Sequence, residues 1–181
     1  MRFSKVKVYH FRNLVDAEIE VKAKTIILIG ENGQGKTNFL EALYMLCFGS
    51  SFRTKRDREI INMQQEEMSL YAELTGEDEE QATVLFKNLK EKKEILLNGK
   101  RIVDRKELLE NVPCVLFSHE DMTFLLGGPE KRRLFLNQTM TLCRPESLET
   151  LRQYQKILRM RNICLKNGTK ELTAVYNEQL A

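Results

Sequence analysis

The stretch "GENGQGKT" (residues 30–37) follows directly on the apolar run "TIILI" (25–29) and leads into "KTNFLEALYMLCF" (36–48). Gly30, Gly35, Lys36 and Thr37 fit the spacing G-x-x-x-x-G-K-[ST], and a chance match in a chain of this length is about a one-in-a-hundred event. The context fits as well. "TIILI" reads as a strand buried on both faces, and residues 36–48 read as a helix with Leu40, Leu43, Tyr44 and Cys47 on one side. Glycines let the backbone curl so that successive N–H groups face phosphate oxygens. The start of the helix adds its partial positive charge. Lys36 is placed to reach β- and γ-phosphates, and the Thr37 hydroxyl to ligate Mg2+. The candidate phosphate site is therefore Gly30, Glu31, Asn32, Gly33, Gln34, Gly35, Lys36, Thr37 and the adjoining Asn38, with Thr37 as the candidate metal ligand.

Bulk properties narrow the function classes. A hydrophobic fraction of 42% in 181 residues builds a real core, and a net charge of +3 with 30% charged residues is only mildly basic. No apolar run approaches the ~20 residues that span a membrane. "MRFSKVKVYHF" alternates and is charged, so it is not a signal peptide. The four cysteines, without a CxxC pair, argue against a disulfide framework or a zinc site. They read as small buried or half-buried thiols of a reducing cytosol. Two histidines, His10 and His119, form no cluster for a metal.

Residues 2–10 and 14–21 read as strands. From 67 to 103 the pattern becomes one of short strands, "MSLYAEL", "ATVLFKN" and "KEILL". They are separated by the polar "TGEDEE" and by Asn98-Gly99, a strong hairpin signal. "VDRKELLENV" reads as a helix and "PCVLF" (113–117) as another apolar strand. After Gly127-Gly128 the pattern is wholly helical. One helix opens at Pro129, one runs from Pro145 to Gly168, and a third starts near Lys170. The expected division is a nucleotide-binding α/β lobe over 1–127 and a partial helical lobe over 128–181. No N-K-x-D guanine signature is present, which argues against a GTPase.

Three basic groups stand out: Arg53, Lys55, Arg56 and Arg58; Lys131, Arg132 and Arg133; Arg152, Lys156, Arg159 and Lys166. The last falls within an arc of about 80° on a helical wheel, beside Leu148, Leu151, Tyr154, Leu158 and Leu165. Each group fits either a solvated face balanced by nearby Glu or a sequence-independent phosphate contact.

The segments "VYHFRNL", "GENGQGKTNFLEALYML", "SFRT", "VLFSHEDM" and "GGPEKRRLFLNQ", in that order, resemble the RecF family, bacterial recombination-repair ATPases of the SMC-like ABC class. The resemblance covers nearly the whole chain. It implies an ABC-type P-loop NTPase head lobe of α/β class, a mixed sheet with an antiparallel β-subdomain, followed by the start of a helical lobe. The cofactors it implies are ATP and Mg2+. It also implies an ATP-dependent homodimer that binds gapped, single- or double-stranded DNA without sequence preference. Cytoplasmic cooperation with RecR and RecO in loading RecA completes the implied picture. By position, Arg12 and Asn13 would lie beside the nucleotide and Arg53 close to the same pocket. The helical groups Lys131, Arg132, Arg133, Arg152, Lys156 and Arg159 become the candidate DNA contacts.

Three residues depart from the family pattern: His10 and His119 stand where Asn and Pro are usual, and Asn137 where Asp is expected. A signature loop and a Walker B strand are also missing. "LLGGPE" (125–130) is not followed by an apolar strand ending in Asp-Glu, and Glu120 and Asp121 of "PCVLFSHED" come too late to end one. The expectation is roughly the N-terminal half of a longer protein, binding nucleotide weakly and hydrolysing little. The alternatives are a small P-loop kinase, against which the short strands of 67–103 argue, and a non-hydrolysing nucleotide-binding regulator.

Overall fold

The structure is a computed structural model and describes residues 1–90, 92–117 and 127–180. They belong to two compact units, Met1–Leu116 and Phe117–Ala181. In the first unit, alternation builds a six-stranded antiparallel sheet. Its strands are β1 (Arg2–Tyr9), β2 (Ala17–Glu20), β3 (Glu67–Thr75), β4 (Gln81–Leu89), β5 (Lys92–Leu97) and β6 (Lys100–Arg101). The spatial order is β2-β1-β3-β4-β5-β6. Register follows from the inward face. Met68, Leu70, Ala72 and Leu74 of β3 and Ala82, Val84 and Phe86 of β4 are buried, and the residues between them are not. A slip of one residue would turn all seven outward. The β5–β6 hairpin closes through Asn98 and Gly99, at φ 51° and 76°. Both signs are positive, as the tight hairpin turn requires. Asn98 extends the ladder by accepting the Thr83 N–H on its side-chain oxygen at 2.8 Å.

Helix α1 (Lys36–Phe48) lies on the inward face of this sheet, with α2 (Arg105–Asn111) against it. Asp104 caps α2, its side chain accepting the Lys106 N–H at 3.0 Å. The core joins α1, the sheet and the segment before β3: Phe11, Met45, Leu46, Ile60, Leu70, Phe86 and Leu108 are all fully buried.

Four expectations change here. First, of the expected packing stripe of α1, Leu40, Leu43, Tyr44 and Cys47, only Cys47 is buried. The helix buries Phe39, Ala42, Met45, Leu46 and Cys47, while Leu40 is exposed. The helix is apolar around most of its circumference, so periodicity cannot select a face. Tyr44 instead stacks on Phe48, with ring centroids 4.3 Å apart.

Second, "TIILI" and "PCVLF" form no strand ladder among the described residues. Ile27 and Ile29 are 77% and 90% exposed, and Val115 and Phe117 both 80%. A strand apolar on both faces needs neighbours to pair its backbone and cover its side chains. None of the described strands supplies that cover.

Third, Cys143 is exposed rather than buried or half-buried, whereas Cys47 and Cys164 are buried and Cys114 is half-buried. It is the last residue of a helix whose one buried described residue is Thr141. The hydrogen bond with Cys114, and then burial, push the Cys47 thiol far up, while the same bond lowers Cys114. Thiolates are the reactive species. An aromatic disulfide reagent should therefore label Cys143 at once and Cys47 only after denaturant is added. Equal rates for the two would contradict this packing.

Fourth, the helical unit is less buried than its pattern suggests. It holds α3 (Pro129–Cys143), α4 (Ser147–Lys166) and α5 (Lys170–Leu180), joined in contact in chain order. Among its described residues only Thr141 and Cys164 are buried. Tyr154 and Leu165, expected on the buried side of α4, are 49% and 51% exposed. Arg161 ties α4 to α5, donating to Asn177 Oδ1 at 2.6 Å. No helix among the described residues is long and apolar enough to cross a membrane.

Candidate functional site

Residues 30–35 form a loop, exposed over 30–34 and buried at Gly35, that ends at the N-cap of α1. Gly35 is that cap, at φ 92°. A Cβ there would stand 2.6 Å from Leu14 Cδ2 and 3.2 Å from Asn13 Oδ1, so the turn at residues 11–14 can close on the loop only over glycine. The ammonium of Lys36 folds back over the loop and donates to the carbonyls of Gly30 at 2.7 Å and Glu31 at 2.6 Å. Gln34 Oε1 accepts the Glu31 N–H at 3.1 Å. The first-turn N–H groups of α1 have no intrahelical acceptor and face the loop's end with the helix's partial positive charge. That is an anion site by construction. Thr37, in the first turn, is exposed, and its hydroxyl makes no hydrogen bond among the described residues.

These groups fit a nucleotide triphosphate with its metal. Mg2+ takes hard oxygen donors, usually one or two from protein, and keeps water and phosphate oxygens for the rest. Thr37 supplies one such oxygen. Among the described residues no cluster of three or more His, Cys, Asp or Glu is placed to hold a metal without the phosphates.

A chain of side-chain bonds ties the loop to two other segments. Asn13 Nδ2 donates to the Gly33 carbonyl at 2.8 Å, and Asn38 Nδ2 donates to Asn13 Oδ1 at 2.6 Å. Arg53 Nη1 donates to Asn38 Oδ1 at 2.6 Å and to Glu41 Oε2 at 3.3 Å. Glu41 also receives Arg12 twice at 2.7 Å, from Nε and from Nη2. Ser51 Oγ donates to Glu41 Oε1 at 2.5 Å and accepts the N–H groups of Arg53 and Thr54. Arg12 sits at φ 49° and gives its third bond, from Nη1, to the Glu59 carbonyl at 2.8 Å. Arg12, Asn13, Asn38 and Arg53 thus stand together beside the loop.

Sequence reading missed Glu41 and Ser51. One acidic residue inside "NFLEALYMLC" reads as the solvent face of a helix, and its partners lie 29 and 12 residues away. The usable signal was a carboxylate at i+4 from Thr37 in an otherwise apolar run.

The other expected sites are less gathered. Lys131, Arg132 and Arg133 are exposed on the first turns of α3, and Arg152, Lys156 and Arg159 are exposed on α4. His10 lies at φ 50°, and its backbone N–H donates to Asp16 Oδ1 at 2.7 Å. Asn137 lies within α3, its carbonyl accepting from Thr141 Oγ1 at 2.8 Å. His119, Glu120 and Asp121 lie outside the described residues, as do Leu125 and Leu126 of "LLGGPE".

The family described as "RecF/RecN/SMC N terminal domain" matches residues 2–175. The chain belongs to this family. It is 36% identical over 174 residues to the DNA replication and repair protein RecF of Treponema pallidum (strain Nichols), covering 95% of this chain and 49% of that one. To RecF of Chlamydia caviae it is 37% identical over 182 residues, covering 100% and 49%. A solved structure described as the recombination mediator protein RecF-ATP in the RecFOR pathway superposes with a TM-score of 0.87 at 28% identity, covering 99% of this chain and 50% of that chain. A structure from work on ATP-driven dimerization and DNA-stimulated activation of SMC ATPases shares the fold, with a TM-score of 0.61 at 18% identity, over 76% and 98%. The α/β head fold expected from the RecF resemblance is the fold observed. The chain spans about half the length of the curated relatives it matches.

Proposed function

We propose that this chain is the nucleotide-binding half of a RecF-like repair ATPase, with ATP and Mg2+ as its ligands. One observation carries the reading: a glycine loop whose lysine covers its mouth, set on a free helix N-terminus and flanked by two arginines. The loop amides and Lys36 hold the phosphates, Thr37 holds the metal, and Asn13 and Asn38 fix the loop's shape. Bound ATP supplies the charge that draws two such heads together across it. The exposed runs 25–29 and 113–117 take their sheet neighbours from the part of the protein that corresponds to the relatives' other half.

The same half would bring the signature loop and the strand that carries the water-activating acid. The chain alone therefore binds ATP weakly and turns it over little. The test is phosphate release by the isolated chain: none above background is expected. Turnover abolished by Lys36→Ala would overturn the half-site reading. Transfer of phosphate to nucleosides or small metabolites would instead support a kinase.

In the whole protein the ATP-bound homodimer clamps gapped, single- or double-stranded DNA by phosphate contacts, in the cytoplasm, and acts with RecR and RecO to load RecA. The exposed groups Lys131, Arg132, Arg133, Arg152, Lys156 and Arg159 supply part of that contact. Charge reversal at Arg152, Lys156 and Arg159 in the full-length protein should lower DNA affinity and reduce its salt slope by about 3. An unchanged affinity and slope would remove α4 from the DNA surface.

A further inference from the structure

Glu41 is fully buried, yet it is a carboxylate, and nothing in phosphate binding by the loop itself requires it. An acid is kept in such a place only where its partners are worth its desolvation. Ser51 Oγ donates to Glu41, and its charged partners are two arginines of different freedom. Arg12 is 17% exposed and spends Nε, Nη1 and Nη2 on Glu41 and the Glu59 carbonyl. Both bonds to Glu41 are short and parallel, the fork geometry that locks a guanidinium. Arg53 is 42% exposed and touches Glu41 only at 3.3 Å, through Nη1. Its Nε and Nη2 make no hydrogen bond among the described residues. Glu41 therefore holds Arg12 as a strut and leaves Arg53 tethered but able to move. The tether has a direction. Arg53 is bonded to Asn38, the residue after the Lys36-Thr37 pair over which a loop of this kind seats the β- and γ-phosphates.

We propose that Glu41 is a positioning residue that presents Arg53 to the terminal phosphate, so that this carboxylate, which touches no ligand, sets the preference for a triphosphate over a diphosphate. The inference rests on the nucleotide reading above. Glu41→Gln keeps the shape, removes the charge, and turns an N–H of its amide against the guanidinium of Arg12. Arg53 then loses its counter-charge and its placement.

The experiment measures ATP and ADP affinity for the wild-type chain and for Glu41→Gln, Arg53→Ala, the double variant and Lys36→Ala, with thermal melting as the folding check. Glu41→Gln should lower ATP affinity about tenfold, the size expected of one charge-assisted hydrogen bond, and leave ADP affinity within a factor of about two. Arg53→Ala should collapse the ATP-to-ADP ratio equally, and Glu41→Gln should add nothing in that background. Equal loss of both nucleotides in Glu41→Gln, or additive losses in the double variant, would overturn the proposal while binding that depends on Lys36 keeps the nucleotide reading intact. A wild-type chain that binds neither nucleotide would overturn both. If Glu41→Gln does not fold, Arg53→Ala decides, since its side chain is half exposed and outside the core: an unchanged ATP-to-ADP ratio sinks the proposal.

Discussion

Replacing Lys36 with alanine should lower ATP affinity about 100-fold, a loss of roughly 2–3 kcal/mol, as expected for charge-assisted bonds to phosphate. Among the described residues, the ammonium stands over the loop bonded only to the carbonyls of Gly30 and Glu31. Both acceptors lie on an exposed loop and keep access to water once the ammonium is gone. The substitution should therefore change folding stability by less than about 1 kcal/mol, within the range of surface changes. Titration of a fluorescent ATP analogue, with melting curves run in parallel, separates the two effects. Affinity unchanged within a factor of about three would mean that the lysine never leaves the loop carbonyls, and the phosphate assignment would fall.

Arg12→Ala should cost about 3 kcal/mol of stability, at the low end for stranding a buried charge because Ser51 and Arg53 still reach Glu41. Urea unfolding followed by far-ultraviolet circular dichroism measures it. The companion variant is Arg12→Leu with Glu41→Leu. It removes both charges and should be closer to wild type than Arg12→Ala is, because well-packed apolar groups can replace a buried ion pair at little net cost. If the double variant were the less stable of the two, the pair would contribute more than its desolvation removes. Glu41 would then be kept for stability rather than for placement.

What the residues reveal unaided depends on how local each cause is. The β3 to β6 region was legible because alternation and the Asn98-Gly99 turn act within a few residues. Helix bounds were legible for the same reason, through Pro129 and Gly168. The buried stripe of α1 was not, because Phe39, Leu40, Ala42, Leu43, Met45 and Leu46 satisfy almost any face. Only the sheet beneath chooses among them. The runs 25–29 and 113–117 read as buried strands and are instead exposed, because burial needs neighbours that the described residues do not contain. At the site, the loop was legible because its chemistry is contiguous. Arg12, Asn13 and Arg53 entered through resemblance alone. Glu41, which joins them, left no local trace, since its partners come from sequence positions far before and after it.

Backbone amide shifts recorded during an ATP–Mg2+ titration of the isotope-labelled chain test the central claim most directly. Weak binding suits this measurement, because fast exchange moves each peak in proportion to occupancy. The account predicts shifts concentrated at residues 30–38, at Asn13 and at Arg53, with the sheet amides of β3 and β4 unmoved. No shift at residues 30–38 at millimolar ATP, or shifts confined to another face, would contradict it.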